Sequence, residues 1–299
     1  ATINLAYRQG QKTIFLCLLS LMMQYWLPKL YGLNSTIGVL GCGWLGLPLA
    51  TTFIRDGCQV HGSTTSKEKF GPLKKGGIIP FKVALHANKI EGDISNFLRN
   101  VETLIVNIPP KLRGIEAENY IQKIQLLHQA VKKSTVRNVL FVSSTSVYGD
   151  VEGEVTEETI PKPSTNSGKE LLKAENIFRN DTDLQTTILR FGGLVGPERH
   201  PVFYLSKKEE VQNGNFPINL IHLNDCISII HFIIKKEYWG EVFNAVYPYH
   251  PTKSDFYTKK AHENNLKMPK FINNSSAKGK KIASNSLIFV KNYEFSTPI

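Results

Sequence analysis

A glycine-rich turn joins an apolar run to a helical pattern near residue 40. The run at residues 37–40 leads directly into a Gly-x-Gly-x-x-Gly spacing formed by Gly41, Gly43 and Gly46, and large apolar residues then recur at helical intervals. This order predicts a strand, a tight turn and a helix. Gly41 permits the turn, Gly43 lets a phosphate approach the backbone, and Gly46 lets the helix lie close to its strand.

The start of such a helix attracts anions, because its N–H groups lack partners and its dipole is positive there. The turn is therefore predicted to bind the pyrophosphate of a nicotinamide dinucleotide. Its candidate cofactor-binding residues are Gly41, Gly43, Trp44, Leu45 and Gly46. The alternative is a glycine turn with a purely structural role, which occurs in many α/β proteins.

The stretch after the second predicted strand indicates which dinucleotide binds. NAD-specific folds place an Asp or Glu about 20 residues beyond the glycine turn, on the ribose hydroxyls. Residues 61–67 contain no acid but include Ser63, Thr64 and Lys67. These groups suit a 2′-phosphate, so we predict NADP as the cofactor, with NAD as the alternative. The hydroxyls could also cap the next helix.

Strand and helix patterns alternate from residue 36 onward, which predicts an α/β fold with a Rossmann-type, doubly wound parallel sheet and a small C-terminal substrate lobe. Asp93 is a candidate helix cap, and Asn107 ends a buried strand where it could face the ribose or the substrate, or simply begin a turn. The predicted elements are helices at 67–75, 94–99 and 114–134 and strands at 78–83, 101–108, 138–144 and 186–191.

Three regions are predicted. Residues 1–35 form an apolar N-terminal appendage, 36–191 the dinucleotide-binding domain, and 192–299 a lobe interleaved with that domain. The apolar run at 14–27 suggests a docking helix, an interfacial anchor, or sequence upstream of the native fold. It is shorter than the roughly 20 residues that a membrane span needs.

Charge and cysteine content narrow the function classes. The net charge is +11, but the basic residues are scattered, without an aromatic stacking box or zinc-finger spacing. This favours a solvated basic surface and an anionic cofactor over nucleic-acid binding. The four cysteines are isolated, so neither a disulfide framework nor a metal site is predicted, and a reducing, cytoplasmic location is expected.

Several ordered segments together resemble the extended short-chain dehydrogenase/reductase family, the NAD(P)-dependent epimerase/dehydratase-like proteins. The resemblance covers about residues 36–245. It is carried by the glycine turn and by residues 143–149, 167–175, 188–197 and 220–225.

The resemblance implies a catalytic set of a Ser or Thr, a Tyr, and a Lys four residues after that Tyr. It places the hydroxyl at Ser144 and the lysine at Lys169, which would also bind the nicotinamide ribose. Thr165 then stands where the tyrosine belongs. A threonine hydroxyl is too weak an acid for the usual proton transfer. The chain is thus similar to atypical members that keep the cofactor site and lack the tyrosine.

Other residues are weaker candidates. The resemblance implies that the loop containing Arg199 and His200 contacts the substrate, whereas Arg113 is expected to face solvent. His128 is expected to pack beside a helix, and Asp225 to cap the helix that follows it.

These observations predict an NAD(P)-dependent oxidoreductase or a nucleotide-sugar epimerase/dehydratase-like enzyme with a modified acid/base set. The expected partner is a small molecule, either a sugar nucleotide or another carbonyl or alcohol, and a second copy of the chain could form a homodimer. The alternative is a non-catalytic NADP(H)-binding sensor or scaffold.

Overall fold

The computed structural model describes residues 35–110, 119–273 and 277–299. Residues 1–34 of the predicted appendage, and Arg113, lie outside the described residues. Within the described ranges, no helix has the length and apolar character needed to cross a bilayer.

The chain forms fourteen strands within the described ranges. They are β1 (Thr36–Leu40), β2 (Gln59–Thr64), β3 (Ile79–Leu85), β4 (Ile90–Gly92), β5 (Thr103–Val106), β6 (Asn138–Ser144), β7 (Gly153–Val155), β8 (Gln185–Phe191), β9 (Gly193–Val195), β10 (Val211–Gln212), β11 (Leu220–His222), β12 (Val242–Ala245), β13 (Phe271–Ile272) and β14 (Lys280–Ile282).

Eight of these strands form one sheet in the order β12-β8-β6-β5-β1-β2-β3-β4. Neighbouring strands are parallel except for β3 and β4. The strand order reverses at β1, which pairs with β2 on one side and β5 on the other. Ligands of such folds bind outside the carboxyl ends of the strands at this reversal. The predicted Rossmann-type fold is confirmed.

In the parts of the chain that the structure describes, eight α-helices connect these strands. They are α1 (Gly46–Arg55), α2 (Phe70–Lys75), α3 (Ile94–Leu98), α4 (Tyr120–Lys132), α5 (Asn166–Arg179), α6 (Val202–Leu205), α7 (Leu223–Lys235) and α8 (Lys253–Glu263). Short 3₁₀ segments occur at Lys67–Lys69 and Thr145–Tyr148, and a π-helical turn at Ser286–Val290. Helices α1 and α7 contribute to the apolar core on one face of the sheet, and α4 and α5 to the core on the other.

Local sequence explains several helix starts. Asp93, Asn119 and Thr165 each accept a hydrogen bond through the side chain from a backbone N–H in the first turn of α3, α4 and α5. This bond satisfies one of the donors that a helix start leaves free. The cap predicted at Asp93 is confirmed.

The predicted cap at Asp225 is wrong. His222 caps α7 instead, with its Nδ1 accepting from the N–H of Asn224 at 3.2 Å. Asp225 is fully buried in the first turn of α7, where its carboxylate accepts from the N–H and Oγ of Ser296, both at 2.9 Å, and from the N–H of Thr297 at 3.0 Å. Asp225 therefore binds the backbone near the end of the described chain, at Ser296 and Thr297, to the start of α7.

A buried polar network attaches α5 to the sheet behind the strand ends. Glu175 and Arg190 form a two-point ion pair, with nitrogen–oxygen distances of 3.0 and 2.6 Å, and the Ser143 hydroxyl donates to Glu175 at 2.6 Å. Arg190 also donates to the hydroxyl of Tyr148, which donates to Asn244. Burial disfavours the charged guanidinium, but Glu175 and Tyr148 outweigh that cost and raise the pKa of Arg190.

A smaller lobe packs beside the strand ends. It contains the pairs β9–β11 and β10–β13, and its apolar cluster includes Val202 of α6 and Phe256 and Tyr257 of α8. In the sequence, α7 and β12 lie among these elements, yet β12 pairs with β8 in the main sheet. Elements of the lobe and of the main sheet thus alternate along the chain, while the division into a domain at 36–191 and a lobe at 192–299 stays a prediction.

Candidate active site

A cleft of about 610 Å³ lies at the carboxyl ends of the central strands. It extends from the glycine turn after β1, past the ends of β2 and β5, to the end of β6 and the start of α5. Residues 191–194 and Arg199 close its remaining side. The cleft therefore lies at the reversal of strand order, where the fold binds its ligands.

Two positions of the glycine turn require glycine. Gly41 has a φ of +103°, and a Cβ there would lie 2.5 Å from the backbone oxygen of Asn107. A Cβ on Gly46 would lie 2.1 Å from the backbone oxygen of Gly41. The turn can thus pack against α1 and the end of β5 only without these side chains.

Gly43 opens the turn to the cleft. It is exposed, and a Cβ built there would meet no atom within 4 Å. The following residues, Trp44 and Leu45, lie immediately before α1, where backbone N–H groups lack intrahelical acceptors. An open cradle of donors at the positive end of a helix fits a pyrophosphate. Of the five residues predicted in this turn, four line the cleft, and Gly46 packs behind them.

Ser63 and Asn107 hold the turn in place. The N–H of Gly41 donates to Ser63 Oγ at 2.8 Å, and Asn107 Nδ2 donates to the oxygen of Gly41 at 3.1 Å. Both side chains line the cleft. Their geometry supports the turn, while direct contact with the cofactor stays a prediction.

The end of β2 presents a different lysine from the one predicted. Thr64, Thr65 and Lys69 line the cleft, whereas Lys67 is exposed and does not. Both lysines are exposed and belong to the 3₁₀ turn at Lys67–Lys69, in which residues two apart do not share a face. A role for Lys67 at the cofactor stays a prediction without support from this geometry.

Serine residues form the wall of the cleft at the end of β6 and the start of α5. Ser144, at the end of β6, lies beside Ser146 and Ser167 along the cleft. Ser144 Oγ accepts from the N–H of Ser146 at 3.2 Å. Its own proton remains available to donate to a substrate oxygen, as the sequence analysis predicts for this residue.

Helix α5 turns Thr165 and Lys169 away from the cleft. Thr165 is the helix cap, accepting from the N–H of Gly168 at 3.1 Å, and Lys169 is exposed and does not line the cleft. Ser167 and Leu171 line it instead. The predicted catalytic and ribose-binding roles of Lys169 stay untested predictions, and its orientation does not support them.

Charge in the cleft is exclusively positive. Among the described lining residues, the charged side chains are Lys69 and Arg199, and no Tyr, His, Asp or Glu is present. Burial raises the pKa of the Cys42 thiol, which also lines the cleft, to about 12. That thiol is therefore neutral near pH 7, and the cleft favours anionic ligands.

The neighbouring side chains of Arg199 and His200 occupy different environments. Arg199 lines the cleft, but His200 packs in the lobe against Phe256, with ring centres 5.9 Å apart. Burial lowers the pKa of His200, as does the nearby charge of Lys260. Lys69, Ser146 and Ser167 line the cleft but were not predicted as site residues. In the sequence, only their position shortly after predicted strands, or at the start of a predicted helix, could have indicated them.

His128 packs as expected. Its Nε2 lies 2.7 Å from a carboxylate oxygen of Asp181, and its ring meets Phe178 edge-on. It is distant from the cleft lining.

Comparison with known proteins identifies the family. Residues 113–245 match the model of the NAD-dependent epimerase/dehydratase family. Protein YeeZ of Escherichia coli (strain K12) is 33% identical over 264 residues, which cover 88% of this chain and 96% of YeeZ. The chain belongs to the NAD-dependent epimerase/dehydratase family.

Solved structures of nucleotide-sugar enzymes share its fold. The UDP-glucuronic acid 4-epimerase of Bacillus cereus, in complex with NAD, has a TM-score of 0.70 at 19% identity. The UDP-N-acetylglucosamine 4-epimerase of the same organism has a TM-score of 0.70 at 17% identity. Each comparison covers 88% of this chain and 92% of the other. At identities below 20%, these comparisons show that the fold is shared.

Proposed function

We propose that this protein is an NADP-dependent oxidoreductase or epimerase-like enzyme that acts on a nucleotide sugar or a similar anionic carbonyl or alcohol. The observation that carries this proposal is the single cleft that joins the glycine turn to Ser144 and Ser167. A dinucleotide bound on the turn would extend its nicotinamide toward these hydroxyls. Membership of the NAD-dependent epimerase/dehydratase family supports the same conclusion.

The preference for NADP rests on the end of β2. Thr64, Thr65 and Lys69 line the cleft there, and no carboxylate is present among the described lining residues. A 2′-phosphate would gain charge-assisted hydrogen bonds from the lysine and further bonds from the hydroxyls. The carboxylate that binds the ribose hydroxyls of NAD in many such folds has no counterpart here.

A nucleotide-sugar substrate is supported by two observations. The charged side chains among the described lining residues, Lys69 and Arg199, are both positive, which suits a diphosphate. The similar folds include epimerases that act on UDP-linked sugars, as their names state.

The nicotinamide supplies hydride exchange with a substrate carbon. Ser144 would orient the substrate oxygen by donating a hydrogen bond to it, and Ser167 provides a second hydroxyl in the cleft. A serine hydroxyl is a poor general acid near pH 7, so the proton would be exchanged with a water at this wall. Turnover is expected to be slow compared with relatives that retain a tyrosine.

The test combines binding and turnover. We expect calorimetric titration to give tighter binding of NADPH than of NADH. Turnover is then measured by NADPH oxidation with carbonyl compounds and by sugar interconversion with UDP-glucose and UDP-glucuronic acid. Ser144→Ala is expected to reduce turnover, while Ser95→Ala, at an exposed serine outside the cleft, is the control.

Binding of NADPH without turnover of any substrate would overturn the enzymatic proposal in favour of a sensor or scaffold. Equal affinity for NADPH and NADH would overturn the preference for NADP.

A further inference from the structure

A loop of the lobe contacts the glycine turn across the cleft. The indole Nε1 of Trp44 donates to the backbone oxygen of Pro197 at 3.0 Å. The guanidinium carbon of Arg199 lies 4.9 Å from the centre of the Trp44 ring. Trp44 belongs to the turn that fits a pyrophosphate, so these contacts place a cationic side chain next to that turn.

The loop is built to hold this position. Gly196 and Arg199 exchange two backbone hydrogen bonds, at 2.9 and 3.0 Å, which close a tight turn. Glu198 within it has a φ of +59°. A Cβ on Gly196 would lie 3.0 Å from the Trp44 ring, and its φ of +157° is also rarely adopted by other residues. The loop backbone therefore packs directly on the indole.

In the part of the chain that the structure describes, no ion pair neutralises the charge of Arg199. Among the described residues, no carboxylate forms an ion pair with it, although its side chain lines the cleft. A guanidinium carries five N–H donors in a planar fork and binds phosphate oxygens with two parallel hydrogen bonds. The cation–π contact with the indole restricts where that fork can lie.

We propose that Arg199 is a phosphate-binding residue that contacts the cofactor pyrophosphate beside the glycine turn, with Trp44 as its platform. The proposal rests on the proposed function, since it requires a dinucleotide on the turn. The position of the guanidinium over Trp44, a residue of the turn itself, favours the cofactor pyrophosphate over a substrate phosphate. Cofactor binding would then join the lobe to the sheet domain through residues 196–199.

The test separates the pyrophosphate from the rest of the cofactor. Affinities are measured by calorimetry for NADPH, for ADP, which carries a diphosphate, and for adenosine 2′-monophosphate, which carries none. For Arg199→Ala we expect a loss of about tenfold to a hundredfold in affinity for NADPH and ADP. Affinity for adenosine 2′-monophosphate should stay within about twofold of wild type, because its phosphate lies at the other end of the site.

Two further variants define the contact. Arg199→Lys keeps the charge but loses the fork, so an intermediate loss is expected. Lys207→Ala removes an exposed cation of the same lobe that does not line the cleft, and is expected to leave all three affinities unchanged.

The outcomes distinguish this inference from the proposed function. If wild-type protein binds none of the three ligands, the proposed function itself fails. If wild type binds NADPH and Arg199→Ala binds both NADPH and ADP as tightly as wild type does, the proposed role of Arg199 is overturned and the cofactor site stands. The proposed role of Arg199 is also overturned if Arg199→Ala loses the same factor in affinity for all three ligands. A raised KM of this variant for a nucleotide sugar with unchanged NADPH affinity overturns it as well.

Discussion

Ser167 precedes Leu171 by one helical turn, and both side chains line the cleft while Lys169 between them is exposed. An α-helix turns by about 100° per residue, so positions 167 and 169 differ by about 200°. The residues from which a phenol and an ammonium could reach the cleft are therefore 167 and 171. The spacing that the family resemblance places at 165 and 169 points elsewhere.

We expect Ser167→Tyr to raise turnover by about tenfold to a hundredfold, the lower part of what a positioned general acid contributes. The phenol would enter the cleft beside Ser144. NADPH oxidation with a carbonyl substrate measures the gain. The matched variant Thr165→Tyr completes a Tyr-x-x-x-Lys sequence with Lys169 but outside the cleft. It should leave turnover within about twofold and cost about 1 kcal/mol of stability through the lost cap. Stronger activation by Thr165→Tyr would contradict this assignment.

Cofactor preference is expected to depend on Lys69 and not on Lys67. Lys69→Glu places a carboxylate at the cleft and should weaken NADPH binding by about 1.5–3 kcal/mol, with little change for NADH. Lys67→Glu makes the same change in net charge at an exposed position that does not line the cleft, and should have a much smaller effect. Paired calorimetric titrations decide the matter. A larger effect of Lys67→Glu would show that the 2′-phosphate lies on the other side of the 3₁₀ turn.

Removing one partner of the buried Glu175–Arg190 pair should be strongly destabilising. Arg190→Met leaves a carboxylate buried without its cation, which should lower the free energy of unfolding by about 3–5 kcal/mol. The double variant Glu175→Leu with Arg190→Met removes both charges and should recover part of the loss. Urea unfolding followed by circular dichroism measures both. The exposed pair Lys270–Glu210 is the control, and Lys270→Met there should cost at most about 1 kcal/mol. A double variant less stable than Arg190→Met would contradict the prediction.

Acidification should destabilise the lobe through His200. Its Nε2 is buried and has no hydrogen-bond partner among the described residues. Burial, helped by the charge of Lys260, lowers the pKa of His200 below the usual 6.5, although the charge of Glu263 opposes this in part. Below about pH 6.5 the unfolded chain therefore binds this proton more readily than the folded chain, and stability falls. Nothing is lost at higher pH, where both states are neutral.

The corresponding variant is His200→Asn, which does not titrate. Its free energy of unfolding should fall less than that of wild type between about pH 7.5 and about pH 5.5. His262→Asn, at an exposed histidine of α8, is the comparison variant. Identical pH dependence in wild type and His200→Asn would exclude His200 as the source.

Much of the sheet domain could be predicted from local sequence. The strand predicted at 138–144 has these bounds in the structure, and the glycine spacing located the turn that opens onto the cleft. Both signals are local, because apolar runs and obligatory glycines reflect the immediate neighbourhood of each residue. The predicted helix at 67–75 divides into a 3₁₀ turn and α2.

Side-chain direction and distant partners were harder to predict. The four-residue spacing between Thr165 and Lys169 does not reveal which face of α5 Lys169 occupies. That face depends on where the helix begins, which is set by the cap at Thr165. Asp225 has the sequence context of a cap, yet its carboxylate binds Ser296 and Thr297. Such contacts join segments whose proximity arises only in the complete fold.

The strand order also affects how fast the chain folds and how long the folded protein persists in the cell. β1 lies between β2 and β5, and β8 pairs with β12, so neighbouring strands are separated by long stretches of chain. Sheets of this kind fold slowly, and the cleft is complete only when segments from Leu40 to Arg199 have met. A ligand that binds only this finished form adds about 2.7 kcal/mol of stability at a hundredfold excess over its Kd. Since proteases remove unfolded chains, the cellular supply of the cofactor is expected to govern the lifetime and abundance of the protein.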